Sequence, residues 1–496
     1  MKKLFILLLA ALLCAGTVGC GAAAETETTE TVAGTVETAV ETEPDPFADF
    51  NYEGKDFRLN TSINDAGPTI LSSNFLIQGP DELIGEAAND AALERNMRVE
   101  ELLNVNLVFE QHNLNFNEQP DYFNTYIMAG DNRFDVMIGD LYVAANLSMQ
   151  KYFYNVRDLE YLDLNQKYWY TSFMEDVAFN KNDIFALSGD YLLDSFRCSH
   201  ILVFNKDKYN DLYGDAEALY TTVLEGDWTL DKLIPMVEEA YQDLNGNGTV
   251  DLADMLGFGF VSDWGPLIPF YISCDPGYIA RDEAGYPVFT MNNERTIKLT
   301  EMMYRLVSAD GSGIKLFNYD QDLALNHFNS GLQLFLGYQR LGSLETNYLR
   351  SSEYEIGILP YPKLDELQEQ YVTSSHDTAE VGLIPITLPE SELPFVGAVL
   401  EVLTRESAKT VMSVYYEEAL KFKYTRDSQS AQMLDLIHDN IRNSFSLAWG
   451  NSLGNYLGSL MKDSTFHENS FASNYSKQEK RLQQILETMI GNFEKE

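Results

Sequence analysis

Phe134 to Asp140 reads FDVMIGD, a short run that is apolar but for Asp135 and is closed by Gly139-Asp140. A run of this length bounded by a turn fits a strand buried on both faces. Toward the N-terminus, Asp56 to Ile63 (DFRLNTSI) alternates as a first strand, Glu82 to Leu103 carries apolar residues at helical spacing, and Val105 to Glu110 returns as a strand. This β-α-β order predicts an α/β fold whose sheets are mostly parallel and covered by helices. Ligands of such sheets sit beyond the carboxyl ends of the strands, which is where Asp140 and Tyr142 lie. A second unit follows: Ile184 to Leu187, the turn Ser188-Gly189-Asp190 with Tyr191 beside it, and the apolar strand Ile201 to Phe204. Asp227-Trp228-Thr229 opens a helix from Leu230 to Tyr241, with Thr229 as N-cap and Trp228 in the core beneath. Thr296 to Val307 and Phe395 to Leu403 read as helices, and the chain is largely helical from about Glu406 onward.

At the N-terminus, Lys2 and Lys3 precede an apolar run from Leu4 to Leu13 and small residues up to Cys20. This is the build of an export signal, and the run is too short for a permanent spanning helix. Cys20 follows Thr17-Val18-Gly19, which resembles the bacterial lipobox, whose Cys is acylated (palmitate) and becomes the mature N-terminus. Thr17 departs from the Leu usual at that position, and an ordinary Cys in a cleaved secretory peptide is the alternative. Residues 21–48 are low-complexity Ala, Thr, Val and Glu, with no Lys or Arg between Lys3 and Lys55. Such a segment buries too little apolar surface to offset its ordering entropy, so a disordered acidic tether is expected. The remaining body of roughly 450 residues exceeds what one hydrophobic core organises. The formal charge of -42 argues against nucleic acid or anionic lipid as a partner. Cys198 and Cys274 are the cysteines left in the body; one disulfide and two free thiols both remain open.

The most specific motif is DLNGNGTVDLAD. Asp243, Asn245, Asn247, Gly248, Thr249, Asp251 and Asp254 occupy positions 1, 3, 5, 6, 7, 9 and 12 of a calcium loop. Oxygen side chains at alternate positions suit one hard cation, and Gly248 permits the sharp reversal. Asp254 stands where an EF-hand carries Glu, which shortens the last ligand. An Asn-Gly turn that never fills is the alternative. Calcium here would be structural, fixing a loop.

Several segments line up in order: FDVMIGD, YFYNVRDLEYLDL, IFALSGD, ILVFNKDKYNDLYG, GDWTLDKL, HFNSGLQLFLGYQRL, YEIGILPYPKLDE, VGLIPIT and YYEEALKFKYTRDSQSAQMLDLI. From about Asp56 to about Ile437 they resemble the extracellular solute-binding proteins of ABC importers, in particular the family 1 sugar-binding group of Gram-positive lipoproteins. The resemblance implies a two-lobed periplasmic-binding-protein-like fold of type II, with hinge crossovers and a helical C-terminal region. It implies crossovers at Ile201 to Phe204 and near Val381 to Ile386. Lobe 1 is then 49–200 with about 382–430, and lobe 2 is 201–381 with about 431–496, containing the calcium loop. The expected protein is a monomeric, non-enzymatic receptor, lipid-anchored outside the cell membrane, that closes on a small molecule or oligosaccharide and delivers it to permease subunits.

A sugar site needs flat aromatic platforms and a rim of hydrogen-bonding groups. Trp264, after Asp263 at a strand end, is the first stacking candidate, with packing under Pro266 as the alternative. Asp140 with Tyr142, and Asp190 with Tyr191, sit in matching polar turns, where Asp is equally an ordinary turn or cap residue. Tyr338, Arg340 and Asp377 complete the candidate set through the family likeness. Enzyme motifs such as GxSxG, HExxH, CxxC and a phosphate-cradling Gly-Lys-Ser/Thr are absent. The histidines at 112, 200, 327, 376, 438 and 467 read as surface or core residues. The rival readings are a secreted glycoside hydrolase using two carboxylates and a calcium-stiffened surface adhesin or scaffold.

Overall fold

The computed structural model describes residues 45–62, 77–263, 265–345, 349, 352–421 and 428–495. The export signal, Cys20, the tether up to residue 44 and Trp264 lie outside the described residues. The strands in chain order are β1 (Lys55–Ser62), β2 (Val105–His112), β3 (Val136–Asp140), β4 (His200–Asn205), β5 (Leu256–Gly259), β6 (Ile279–Arg281), β7 (Pro287–Phe289), β8 (Gln333–Arg340), β9 (Ile356–Leu359), β10 (Thr373–Ser374), β11 (Glu380–Leu383) and β12 (Ile441–Arg442).

The first sheet has the order β11-β3-β1-β2. β1 pairs in parallel with β2 from Lys55↔Val105 to Ser62↔His112 and in parallel with β3. β11 runs antiparallel on the far side of β3, with Glu380 opposite Asp140. Phe57, Leu59, Val136, Ile138, Val381 and Leu383 are fully buried in it. The helix Ala87–Leu103 turns Ala88, Ala91, Ala92, Val99 and Leu103 inward and stops where Asn104 enters the left-handed region at φ 50°. It begins later than expected because the Asp90 carboxylate takes the backbone N–H groups of Ile84 (2.8 Å) and Gly85 (2.9 Å), holding that stretch as a turn. The helices Leu393–Lys409 and Val411–Lys421 pack on it. Arg95 is buried at this contact, donating to Ile77 O at 2.7 Å, to Asn96 Oδ1 at 2.8 Å and to the Ser407 hydroxyl. Burial pulls its guanidinium down to about 9.

The second sheet has the order β5-β8-β4-β9. β5 and β8 are parallel, but β4 is antiparallel to both β8 and β9. This mixed sheet departs from the mostly parallel one expected. β4 arrives from the first sheet rather than through a local β-α-β connection, so nothing forces it parallel to its neighbours. The helix Leu230–Ala240 packs over this sheet so closely that a Cβ on Gly257 would lie 2.1 Å from Val237 O. Thr229 precedes that helix but its side chain makes no capping bond. Its backbone instead forms a bridge with Lys363, and Leu230 N–H donates to Lys363 O at 2.9 Å. Trp228 is fully buried, as expected, with Nε1 donating to Pro360 O at 3.1 Å.

Two passages join the sheets, residues 188–199 and 360–379. They run side by side: His376 N–H donates to Cys198 O (3.1 Å) and the Ser375 hydroxyl to Ser195 O (2.9 Å). Ile201 to Phe204 and Val381 to Leu383, where the sequence placed the crossovers, are strand residues inside the two sheets. The helix Phe471–Phe493 brings the Phe493 ring to within 5.1 Å of Phe179 and 6.2 Å of Tyr286. Cys198 and Cys274 are both free and buried, which settles the open choice in favour of two thiols. Among the described residues no helix is long and apolar enough to cross a membrane.

Candidate functional site

β1, β2 and β3 all end toward the two passages, and the last residues of these strands are polar yet buried. Asn60, Thr61 and Ser62 on β1, His112 on β2 and Asp140 on β3 are each 7% exposed or less. Several keep an atom without a hydrogen-bond partner: Asn60 Oδ1, Thr61 Oγ1, His112 Nδ1 and Asp140 Oδ2, joined by Glu380 Oε2 on β11. From the second sheet, His200 Nε2 and Arg340 Nη1 are in the same state. Buried polar groups in folded proteins are nearly always paired, and each unmet one costs about 1–3 kcal/mol. These groups gather at the ends of the strands that run toward the two passages, although other such atoms, among them Thr296 Oγ1, Ser312 Oγ and His327 Nε2, lie elsewhere.

Asp140 is gripped by Gln119, whose Nε2 donates to Oδ1 at 3.3 Å and whose Oε1 accepts the Asp140 N–H at 3.0 Å. Burial pushes the Asp140 carboxyl up to about 7, and the negative charges of Asp194 and Asp377 add to that against the Gln119 contact. Tyr142 N–H donates to Asp377 O at 3.1 Å. The Asp377 carboxylate lies 2.9 Å from His376 Nδ1, and His376 Nε2 is 3.3 Å from the Tyr338 hydroxyl. Burial raises Asp377, but His376 and Arg340 beside it outweigh that and hold the carboxyl below its ordinary value. Burial and the Arg340 charge lower His376, against the pull of the Asp377 carboxylate. Tyr338 stacks on His200 with ring centroids 5.6 Å apart at 19°, and its backbone has φ 58°. A tyrosine in the left-handed region carries strain of the kind found at functional sites. Gly265 lies against it: a Cβ there would be 3.0 Å from the Tyr338 hydroxyl. Asp263, just before, meets Lys462 Nζ at 3.3 Å. Half-exposed Phe116 meets Tyr142 edge-on at 6.2 Å.

The hinge therefore brings together Asp140, Tyr142, Tyr338, Arg340 and Asp377, with Asp263 at its margin. Asp190 and Tyr191 lie on the first passage but have other partners. Tyr191 is fully buried and its hydroxyl donates to Leu187 O at 3.1 Å, so it is a core residue. Asp190 accepts from the Tyr170 hydroxyl at 2.6 Å and meets His438 Nε2 at 3.2 Å. The residues missed in the sequence are His200, Asp194, His376 and Glu380. Nothing local distinguishes them, because each acquires its role from a partner distant in the chain.

The loop 243–254 is closed by its own hydrogen bonds. Asp243 accepts the N–H groups of Gly246 (2.7 Å) and Gly248 (2.8 Å), and Asp251 accepts the side-chain amides of Asn245 (3.0 Å) and Asn247 (2.7 Å). Thr249 N–H donates to Asn247 Oδ1 at 2.7 Å, and Asp254 accepts from Leu244 N–H (3.1 Å) and Asp251 N–H (3.0 Å). Among the described residues no three acidic, Cys or His side chains are grouped to hold a metal.

No family model matches the chain, and no curated protein matches it. Solved structures match across the body. A cyclo/maltodextrin-binding protein complexed with maltotetraose aligns with TM-score 0.58 and 10% identity over 88% of this chain and 98% of its own. An ABC substrate-binding protein from Listeria monocytogenes in complex with cycloalternan aligns with TM-score 0.52 and 11% identity over 88% of this chain and 99% of its own. The GacH receptor of Streptomyces glaucescens, solved unliganded and with acarbose, aligns with TM-score 0.50 and 12% identity over 88% of this chain and 99% of its own. At such identities the likeness shows the fold: a two-lobed, periplasmic-binding-protein-like α/β architecture, as the sequence predicts.

Proposed function

We propose that this chain is the extracytoplasmic substrate-binding receptor of an ABC importer, a non-enzymatic protein that captures a carbohydrate at its hinge and delivers it to a permease. The observation that carries this reading is the hinge itself. Two sheets are joined by two paired passages, with polar groups left unmet where they join, in a fold whose solved neighbours include receptors bound to maltotetraose and cycloalternan. Opening would admit a ligand to those groups, and closure would be stabilised by contacts made only in the closed arrangement. Tyr142 and Phe116 supply flat surfaces for sugar C–H faces, Tyr338, Arg340, Asp377 and Asp263 supply hydroxyl partners, and Trp264, outside the described residues, stays the stacking candidate of the sequence. Cys20 carries the lipid anchor and residues 21–48 the tether in this reading.

The same reading gives loop 243–254 a structural calcium ion. Its donors are all oxygens, which suit a hard cation. Asp251 has to exchange its two amide partners, Asn245 and Asn247, for the ion, and those residues then present their carbonyl oxygens.

The test is a thermal-shift screen of the protein against mono- and oligosaccharides. A ligand that binds only the folded state raises the melting temperature with the logarithm of its excess. A saccharide that does so and is recovered intact supports the receptor; hydrolysis of it, lost on removing one carboxylate, would make the protein a glycosidase.

A further inference from the structure

Asp140 closes β3 and Glu380 opens β11, and the antiparallel register sets them directly opposite each other. Side chains in that relation have Cβ atoms roughly 5 Å apart. Asp140 is 2% and Glu380 4% exposed, and each keeps one carboxyl oxygen with neither water access nor a hydrogen-bond partner. A third acid, Asp194 on the first passage, accepts the Glu380 N–H through Oδ2 at 2.7 Å. The groups facing this cluster come from every neighbouring element. The helix Gln119–Met128 contributes the Gln119 amide, and β1 contributes Ser62, which bonds Glu380. On β2, His112 is engaged through Nε2 with Ile138 O at 3.2 Å. The first passage adds Tyr191, Asp194, Arg197 and Cys198, the last with Sγ 3.6 Å from Asp194 Oδ2. The second passage adds Asp377. The guanidinium of Arg197 is committed to Glu345 at 2.8 Å. The Arg197 charge lowers Glu380, but burial outweighs it, and two carboxylates facing each other in a dry site do not readily both ionise.

We propose that Asp140 and Glu380 share a proton that holds β11, and with it the end of the second passage, against β3, and that losing this proton loosens the hinge at that end. The proposal rests on the reading of that hinge as the closing element of a receptor, and it assigns the receptor a pH-dependent grip. Burial sets the direction, raising Asp140 to about 7 and Glu380 well above the ordinary carboxylate range, and Asp194 pushes both further. For carboxyls raised in the folded state, the stability they contribute is fully present below the unfolded value of about 4 and is lost as pH rises toward and through neutrality. A doubly ionised pair across one ladder position repels, and separating β11 from β3 relieves the repulsion.

The experiment uses ligand-free protein: radius of gyration by small-angle X-ray scattering and melting temperature, both from about pH 5 to about pH 9. Wild type is compared with Asp140→Asn, Glu380→Gln and the double variant. Wild type is expected to expand and lose melting temperature as pH rises. Either single substitution is expected to remove the expansion and to leave only the loss of melting temperature that His438 brings, and the double to remove no more than one alone, because the proton belongs to the pair. Responses in both single variants equal to wild type, or removal in two independent halves, would overturn the latch. If one variant fails to fold, the other decides between the same two outcomes. No saccharide enters this readout, so failure of every sugar to bind would strike the receptor reading and leave the latch result standing.

Discussion

Arg197, on the first passage, grips Glu345, just beyond β8, through two hydrogen bonds: Nε to Oε1 at 3.0 Å and Nη2 to Oε2 at 2.8 Å. The Tyr415 hydroxyl donates to the same Oε1 at 2.6 Å, which draws the helix Val411–Lys421 into the contact. The Arg197 side chain is 5% exposed, so the pair is held out of water on that side. Breaking a buried pair from one end leaves a charge uncompensated, at a cost of about 3–5 kcal/mol. Glu345→Gln is expected to lower unfolding free energy by about 3 kcal/mol, since Glu345 keeps some solvent contact. Urea unfolding checks it, and a loss under about 1 kcal/mol would show that the guanidinium finds other partners.

His438 gives a pH-dependent stability of opposite origin to the acid pair. Burial lowers its imidazole, but hydrogen bonds to Asp190 and Asp439 more than compensate and bring it up to about 9. A raised histidine contributes stability that is fully present below the unfolded value of about 6.5 and is lost as pH climbs through the folded value. His438→Asn should therefore melt below wild type at pH 6 and close to it at about pH 10. A gap that is constant across pH would mean the residue acts by packing alone, through Phe196 and Tyr170.

Gly397 lies inside the helix Leu393–Lys409, where exchange to alanine ordinarily stabilises by about 0.5–1 kcal/mol. Here a Cβ would lie 2.0 Å from Glu160 O. Overpacking of that kind typically costs about 1–3 kcal/mol, so Gly397→Ala is expected to destabilise, reversing the usual sign. Chemical denaturation measures it, and a gain in stability would show that the 160 segment yields without cost.

For loop 243–254, calcium is expected to raise the melting temperature and a chelator to reverse the rise, with Asp243→Ala abolishing both. At free calcium a hundredfold above Kd the stabilisation is about 2.7 kcal/mol. Titration calorimetry with calcium alone checks it; no heat at millimolar ion would leave an Asn-Gly turn closed by its own hydrogen bonds.

The first sheet was legible where its evidence is local. FDVMIGD and the helix before β2 announce themselves by run length and spacing, and β1 to β3 fall within a residue or two of expectation. What the sequence concealed is non-local. Glu380 reads as an ordinary acid before an apolar run until the register places it opposite Asp140. Ser188-Gly189-Asp190 resembles a ligand-facing turn after a strand, yet Gly189 is small because Trp169 lies over it, with Cε3 2.7 Å from where a Cβ would be. That packing carries Tyr191 inward with it. The calcium-loop residues took the turn their Asn and Gly spacing foretells, with both Gly246 and Gly248 at positive φ.

The arrangement of β11 against β3 also sets the order in which this chain can finish folding. Val136 to Ile138 is an apolar strand whose outer edge finds its partner only when Val381 and Gly382 exist and have threaded through the second lobe. During synthesis, that edge stays an open template for pairing with another chain. The first lobe is thus an incomplete object until the second has been made, and excising either to study it alone should yield an aggregating fragment rather than a folded half.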